Sequence, residues 1–530
     1  MRDVVRKALD TARARGAAYA DARVVTRREQ DVVTKNGKVE SVSSSQSRGI
    51  GVRVLVDGAW GFASTSVLDD REVMRIAEKA VEIARASALV RSDPPVELAP
   101  VDPVEDRWGS PMKEDPFSVK LEEKINLLLE ADRLMRQDPR IRVAQGSVSV
   151  FREDKVFAST EGTYVEQSKT ETGAGISALA AEAGEVQRRS YPSSFGGDYA
   201  ARGYEYVREM DLVGHAEQVA HEALALLEAP QCPSGTTTVI LGSGQLALQV
   251  HESCGHPSEL DRVFGTEASY AGTSFITPDK LGKLQYGSAA VNIVADATIP
   301  GGLGSFGYDD EGVPAQRVPL VRNGLYVNYL TSRETAARLS RHLARGTAGG
   351  GGGAGGGSVG GGAGGTAASN AAGPDAGGGG GMAAGGKGVR SNGTMRADGW
   401  NRLPIIRMTN INLEPGDWSF EELVRDTKEG IYMETNKSWS IDDKRLNFQF
   451  GTEIAWEIKD GSLGRMLKNP TYTGITPEFW RSCDAVCDRK HWHLWGLPNC
   501  GKGEPPQLAH VGHGTAPARF RNVRVGVGKW

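Results

Sequence analysis

Between about residues 346 and 388 the chain is almost nothing but glycine and alanine, with a few Ser, Thr, Asn, Pro and Asp. A tract so poor in apolar side chains cannot bury enough surface to offset the entropy of ordering its backbone. It is expected to be a disordered surface insertion, so every core must be assembled from the residues on either side. Those residues suffice: of 530 in all, 39% are hydrophobic, enough for two or more cores.

Charge narrows the function classes. Lys and Arg number 62 against 66 Asp and Glu, for a formal net charge of −4, and the two signs are interspersed. No strong field points to nucleic acid or an anionic membrane. No run approaches the ~18 consecutive apolar residues that cross a bilayer, and the N-terminus, Met1-Arg2-Asp3-Val4-Val5-Arg6-Lys7, is charged without an apolar stretch behind it. The expectation is a cytoplasmic protein with neither nucleic-acid nor membrane partners. Five cysteines without a framework spacing read as reduced thiols or metal ligands rather than disulfides.

Hydrophobic periodicity predicts a helix over 4–15 and strands over 20–27, 30–35, 39–45 and 50–55. A hairpin signal at Asp57-Gly58 leads to a strand over 60–65, and a helix over 70–85 follows. A similar order recurs, with a helix over 118–136, strands over 141–151, 164–172, 176–181 and 185–191, and a helix over 211–227. The fold class is α+β: residues 1–229 form a domain of two similar halves, helices packed on an antiparallel sheet. Pro230, Pro233, Ser234 and Gly235 break the pattern, and residues 230–530 form a strand-rich second domain interrupted by the 346–388 insertion.

That second domain carries the chemistry. Ser243 opens a run of good helix formers that ends His251-Glu252-x-x-x-His256-Pro257. On an ideal α-helix residues five apart sit ~140° apart, so a straight helix would not bring both imidazoles to one ion. Gly255 loosens the last turn and Pro257 pushes His256 out of the α region, which lets His256 swing back. Glu252 would then be the general base beside the first ligand. A third ligand is open at this point. Cys254 lies between the two His; Cys483, Cys487, His491 and His493 form C-x3-C-x3-H-x-H; and Cys500 sits in the turn Asn499-Cys500-Gly501-Lys502, with Lys502 near enough to favour a thiolate. The run Asp309-Asp310-Glu311 reads as a hard-cation loop, a solvated run, or a site for the amino end of a peptide.

His251-Glu252-x-x-x-His256, with Asn499-Cys500-Gly501-Lys502 and Val511-Gly512-His513-Gly514, resembles the TldD/PmbA metalloprotease family. Further matches are Gly49-Ile50-Gly51-Val52-Arg53-Val54, Gly61-Phe62-Ala63, Asp309-Asp310-Glu311-Gly312, Ser391-Asn392-Gly393, Arg407-Met408-Thr409-Asn410 and Glu414-Pro415-Gly416. The resemblance implies a zinc site of His251, His256 and Cys500 with Glu252 as catalytic base, the mark of the TldD-type subunit. It implies hydrolysis of unfolded or flexible peptides by a homodimer, or by a heterodimer with a PmbA-like paralogue. Asp309, Asp310, His510 and His513 are then candidates for substrate binding, the two His as stabilisers of the oxyanion. The alternative is a non-catalytic modulator or scaffold with a structural or vestigial metal, since family members have been described as modulators of DNA gyrase. The Gly/Ala tract and the pair Cys483 and Cys487 have no counterpart in the family pattern.

Overall fold

The computed structural model describes residues 1–270, 272–348 and 389–526. The Gly/Ala tract lies outside the described residues except for its first three, which end a helix. The architecture is α+β.

In the first 230 residues, α1 (Arg2–Ala14) precedes β1 (Tyr19–Lys35), β2 (Lys38–Val56), β3 (Ala59–Thr65) and α2 (Asp70–Val90). Then come β4 (Glu105–Gly109), α3 (Leu121–Met135), β5 (Ile141–Ser159), β6 (Tyr164–Glu182), β7 (Glu185–Tyr191), β8 (Asp198–Ala200), α4 (Glu205–Glu209) and α5 (Leu212–Glu228). One eight-stranded sheet runs β3-β2-β1-β5-β6-β4, with β7 and β8 also on β6, and every pairing is antiparallel except β4 with β6. The runs expected as separate strands over 20–27 and 30–35 are one strand, as are those over 39–45 and 50–55, because the ladder continues through polar residues that lie on an exposed ribbon.

Helix spacing explains the packing. Val5, Ala8, Leu9 and Ala12 put one apolar stripe of α1 on the sheet beside α2, whose N-cap Asp69 accepts from the Glu72 amide at 2.8 Å. α3 and α5 cover the other half of the sheet through a second cluster around Leu128, Val148 and Ile176. Along β1, Ala20, Ala22 and Val24 belong to the helix-side cluster, and the alternating Asp21 and Arg23 turn to the opposite face, buried against the later part of the chain.

That later part begins with β9 (Gly235–Leu241) and α6 (Ser243–Val250), followed by α7 (Leu260–Val263), β10 (Ile293–Asp296), β11 (Arg317–Arg322), β12 (Leu325–Tyr326) and α8 (Arg333–Ala348). Beyond residue 388 come β13 (Met395–Arg396), β14 (Ile405–Ile406), β15 (Ile411–Leu413), α9 (Phe420–Arg425), β16 (Glu429–Ile441), β17 (Asn447–Lys459), β18 (Ser462–Leu467) and β19 (Thr471–Ile475). The chain ends with α10 (Thr476–Arg481), β20 (Cys483–Val486), β21 (His493–Lys502), β22 (Gln507–Thr515) and β23 (Ala518–Val525). Strands β16, β9, β23, β19 and β17 pair in sequence, and β17 pairs back onto β16, so the sheet closes on itself around a core that holds Trp480 and Phe520. The antiparallel ribbon β21–β22 brings Cys500 and His513 to the end of α6. Among the described residues no helix is long and apolar enough to cross a membrane.

Candidate metal centre

α6 is buried from Gln245 onward, and it does not continue as an α-helix. His251–Gly255 form one π-turn, and the amide of His256 donates to the carbonyl of His251. This i→i+5 bond brings the two imidazoles together edge to face, with ring centroids 4.8 Å apart, which solves the spacing problem of a straight α-helix. The remedy expected from the sequence is corrected in its mechanism: His256 stays helical at φ −59°, ψ −45°, and the widened turn before it does the work that Pro257 was expected to do. Widening leaves carbonyls to satisfy. Tyr286 Oη donates to Ser253 O at 2.9 Å and Ser258 Oγ to Cys254 O at 2.6 Å. Gly255 is required because a Cβ there would lie 2.0 Å from Met408 Sδ.

The ligand atoms of His251, His256 and Cys500 lie within 4.8 Å of one another, with Cys500 Sγ 3.7 Å from His256 Nε2. The partners of the outer ring nitrogens set the tautomers. His513 Nδ1 donates to Ile411 O at 3.3 Å, so its Nε2 is an acceptor, and His251 Nδ1 donates to it at 2.8 Å. His256 Nδ1 donates to the Glu259 carboxylate at 3.0 Å. Both Nε2 lone pairs are therefore left over. Burial pushes His251 down to about 4, and it pushes His256 well below its ordinary value, so both rings are neutral. Burial alone would raise the Cys500 thiol, but the Arg407 charge and His256 outweigh it and the net shift is downward. Two neutral imidazoles and a thiol biased to thiolate are the donor chemistry of zinc rather than of Mg²⁺ or Ca²⁺.

Glu252 follows His251 on the π-turn, and its Oε2 accepts from Arg445 Nη1 at 2.7 Å. Arg445 sits at φ +62° in the loop joining β16 to β17, a left-handed conformation unusual for a side chain of this size. Lys502 does not serve Cys500. Its Nζ lies 2.8 and 2.9 Å from the two oxygens of Asp261 and 3.4 Å from Glu259, and the positive charge that favours the thiolate belongs to Arg407. No local pattern marks Glu259 or Arg445, and the run Arg407-Met408-Thr409-Asn410 carries no sign that Arg407 faces Cys500.

The other candidates lie apart from this cluster. His513 supports His251 from behind, which gives it a role different from the oxyanion contact expected of it. His510 Nδ1 pairs with Glu171 of β6. Asp309 is buried, with Oδ1 accepting from the amides of Glu311 and Val313, both at 2.9 Å, and Oδ2 from Met395 at 3.0 Å. Asp310 meets Arg23 at 3.1 Å, Lys155 at 2.9 Å and the Ala397 amide at 2.7 Å. Glu311 accepts from the Arg333 amide at 2.7 Å. The acidic run is thus buried rather than solvated: Asp309 holds its own loop and Met395, while Asp310 and Glu311 join the loop to Arg23, Lys155 and Arg53 of the sheet. Cys483 and Cys487 are buried in the core, His491 pairs with Asp488, and His493 pairs with Asp198, and among the described residues these four form no second ligand cluster. Cys254, with its thiol pushed up to about 12 by burial, is not among the clustered ligands.

Family models match nearly all of the described chain. Residues 20–84 match the PmbA/TldA metallopeptidase domain 1, 114–227 its central domain, and 234–527 its C-terminal domain. A metalloprotease of Methanocaldococcus jannaschii is 30% identical over 94% of this chain and 95% of its own. The chain belongs to the PmbA/TldD metallopeptidase family. A metalloprotease of Haemophilus influenzae named as a TldD homologue is 26% identical over 97% of this chain and 93% of its own. Among solved structures, a Thermotoga maritima protein described as a candidate modulator of a DNA gyrase superposes with a TM-score of 0.71 at 18% identity, covering 99% of this chain and 100% of its own. TldE of Thermococcus kodakarensis gives 0.68 at 16%, again covering 99% and 100%. At these identities the two structures share the PmbA/TldD fold.

Proposed function

We propose that this chain is a zinc-dependent peptidase of the TldD type that hydrolyses unfolded or flexible peptides. The observation that carries the reading is the convergence of three ligand atoms within 4.8 Å beside a carboxylate that no metal ligand needs. Zinc, when bound by His251, His256 and Cys500, supplies a Lewis acid for the scissile carbonyl. Arg445 fixes one oxygen of Glu252, and the other accepts a proton from the attacking water and returns it to the leaving amine. His513 and Glu259 hold the two imidazoles in the tautomer that presents Nε2.

Relatives named metalloproteases support the peptidase reading, and one of Saccharolobus solfataricus is named a zinc metalloprotease at 22% identity. The likeness to TldE supports pairing with a PmbA-like paralogue, with a homodimer as the other form. Five unpaired, buried cysteines suit a reducing cytoplasm. A non-catalytic modulator would leave the Glu252–Arg445 pair without a task. The test measures metal by mass spectrometry and cleavage of an unstructured peptide in wild type, Cys500→Ala and Glu252→Ala. The reading expects about one zinc per chain, lost in Cys500→Ala and kept in Glu252→Ala, with cleavage lost in both. Equal zinc in all three proteins, or none in any, favours the modulator.

A further inference from the structure

A cavity of about 410 Å³ lies between the polar face of the large sheet and the ribbon β21–β22. It shares a wall with the metal centre: Asn499 lines it, while the next residue, Cys500, belongs to the ligand cluster. The ribbon shifts register between Leu497 and Cys500, so Pro498 and Asn499 both line the cavity while Cys500 belongs to the ligand cluster.

The cations of this cavity differ in one respect. Arg27 is paired with Glu153 at 2.9 Å and Asp398 at 2.6 Å, and Arg152 with Asp115 at 3.0 Å. Lys155 is paired with Glu153 and Asp310, and Lys169 with Glu171 at 2.6 Å. Arg396, by contrast, has no carboxylate partner among the described residues. Its Nη1 donates to His510 O at 2.8 Å and its Nη2 to Met408 O, while its buried Nε has no partner, so most of its five N–H donors are unused. Burial and the nearby Arg407 work against its charge, while Glu171, Cys500 and Asp310 favour it through space.

Part of the wall is aromatic and built in advance. Phe306 lies under the Arg396 guanidinium at 5.6 Å, and Trp108 and Phe151 stand nearby. Gln167 pins the loop that carries Phe306 by accepting from the amides of Gly307 and Tyr308 at 3.0 and 2.9 Å. Gly307 is what lets Trp108 press on that loop, since a Cβ there would come within 2.6 Å of the indole. At the rim, Leu508 is 54% exposed. An unpaired guanidinium, aromatic walls and a volume suited to a small ligand specify an anion with an apolar body.

We propose that this cavity is a carboxylate subsite, in which Arg396 receives the acid group of a peptide and the aromatic walls hold the residue that bears it. Only the identification of the ligand as a peptide rests on the peptidase reading; the carboxylate specificity does not. The acid is either a C-terminal carboxylate or an Asp or Glu side chain, and the assay separates the two. Binding of one heptapeptide to full-length, zinc-loaded Glu252→Gln protein is measured by calorimetry with a free C-terminus, with an amidated C-terminus, and amidated with one internal Glu. One acidic form is expected to bind at least about tenfold more tightly than the neutral amide, a difference that Arg396→Gln abolishes and Arg396→Lys partly keeps. Leu508→Trp obstructs the mouth from an exposed position without disturbing the interior, and it should weaken the acidic form about tenfold. Equal binding of all three peptides, a preference intact in Arg396→Gln, or undiminished binding in Leu508→Trp overturns the proposal. So does loss of zinc together with the preference in Arg396→Gln, which would make Arg396 a support of the metal centre. Failure of the peptidase reading shows separately, as absence of cleavage by wild type with the binding preference intact.

Discussion

The metal-ligand turn and the acidic loop at Asp309-Asp310-Glu311 are alike in composition and unlike in outcome. Each is a short run of residues able to bind a metal, and each is buried. In the acidic loop the carboxylates are spent on protein partners: Asp309 on three backbone amides, Asp310 on Arg23, Lys155 and an amide, Glu311 on the Arg333 amide and the Arg53 guanidinium. In the π-turn the protein takes only the outer nitrogen of each imidazole and leaves the inner one, facing a thiol. What separates a ligand from a structural group is therefore not residue type or burial but whether a lone pair remains after the fold has been satisfied.

Breaking the two regions separately tests this contrast. The largest effect belongs to Cys500→Ala, which removes one of three ligands and should abolish stoichiometric metal, read by mass spectrometry, while the thermal midpoint of the metal-free protein stays close to that of metal-free wild type. Asp310→Asn should do the reverse. It leaves Arg23 and Lys155 facing each other without their shared anion, a cost of about 3–5 kcal/mol by urea denaturation, with zinc content unchanged. Loss of zinc in Asp310→Asn would show that the two regions are one system.

A smaller effect comes from pH. Burial would raise Glu171, but Lys169 and His510 outweigh it and hold the carboxyl at about 2, below its unfolded value of ~4.3. The native state therefore binds fewer protons, so this contribution is complete above pH ~4.3 and is lost as pH falls toward 2. It amounts to at most about 3 kcal/mol. Stability measured between pH 6 and 3 should fall less steeply in Glu171→Gln than in wild type. An unchanged slope would show that the contact between sheet and ribbon does not depend on this charge. The smallest effect is expected from His513→Ala, which keeps all three ligands but frees the outer nitrogen of His251. Metal affinity in competition with a chelator should drop about 10- to 100-fold. No change would mean that His251 is oriented by packing alone.

The sequence shows the fold well where apolar periodicity reports burial. α1, α2, α3 and α5 follow their stripes, and strand segments appear wherever one face is covered. It misplaces strand ends at Arg28 and Gln46, where the ladder runs on as an exposed ribbon and hydrogen bonding no longer tracks hydrophobicity. Within the site, His251, Glu252 and His256 stand out as a motif, whereas Cys500 stood out from the other thiols only through resemblance to a family. The π-turn was not legible, because its cost is met by distant groups, Tyr286 and the packing of Met408 against Gly255. Arg407 and Arg445 reach the site from segments more than 150 positions beyond the motif; Arg445 stands alone, and the run that holds Arg407 carries no local sign of what its guanidinium will face.

The most direct test of the central claim is X-ray absorption at the zinc edge of the loaded full-length protein. The account predicts one sulfur at about 2.3 Å and two imidazole nitrogens at about 2.0–2.1 Å, with the sulfur contribution gone in any zinc retained by Cys500→Ala. A spectrum without sulfur, with more than one sulfur, or unchanged by Cys500→Ala would contradict the ligand set on which the account stands.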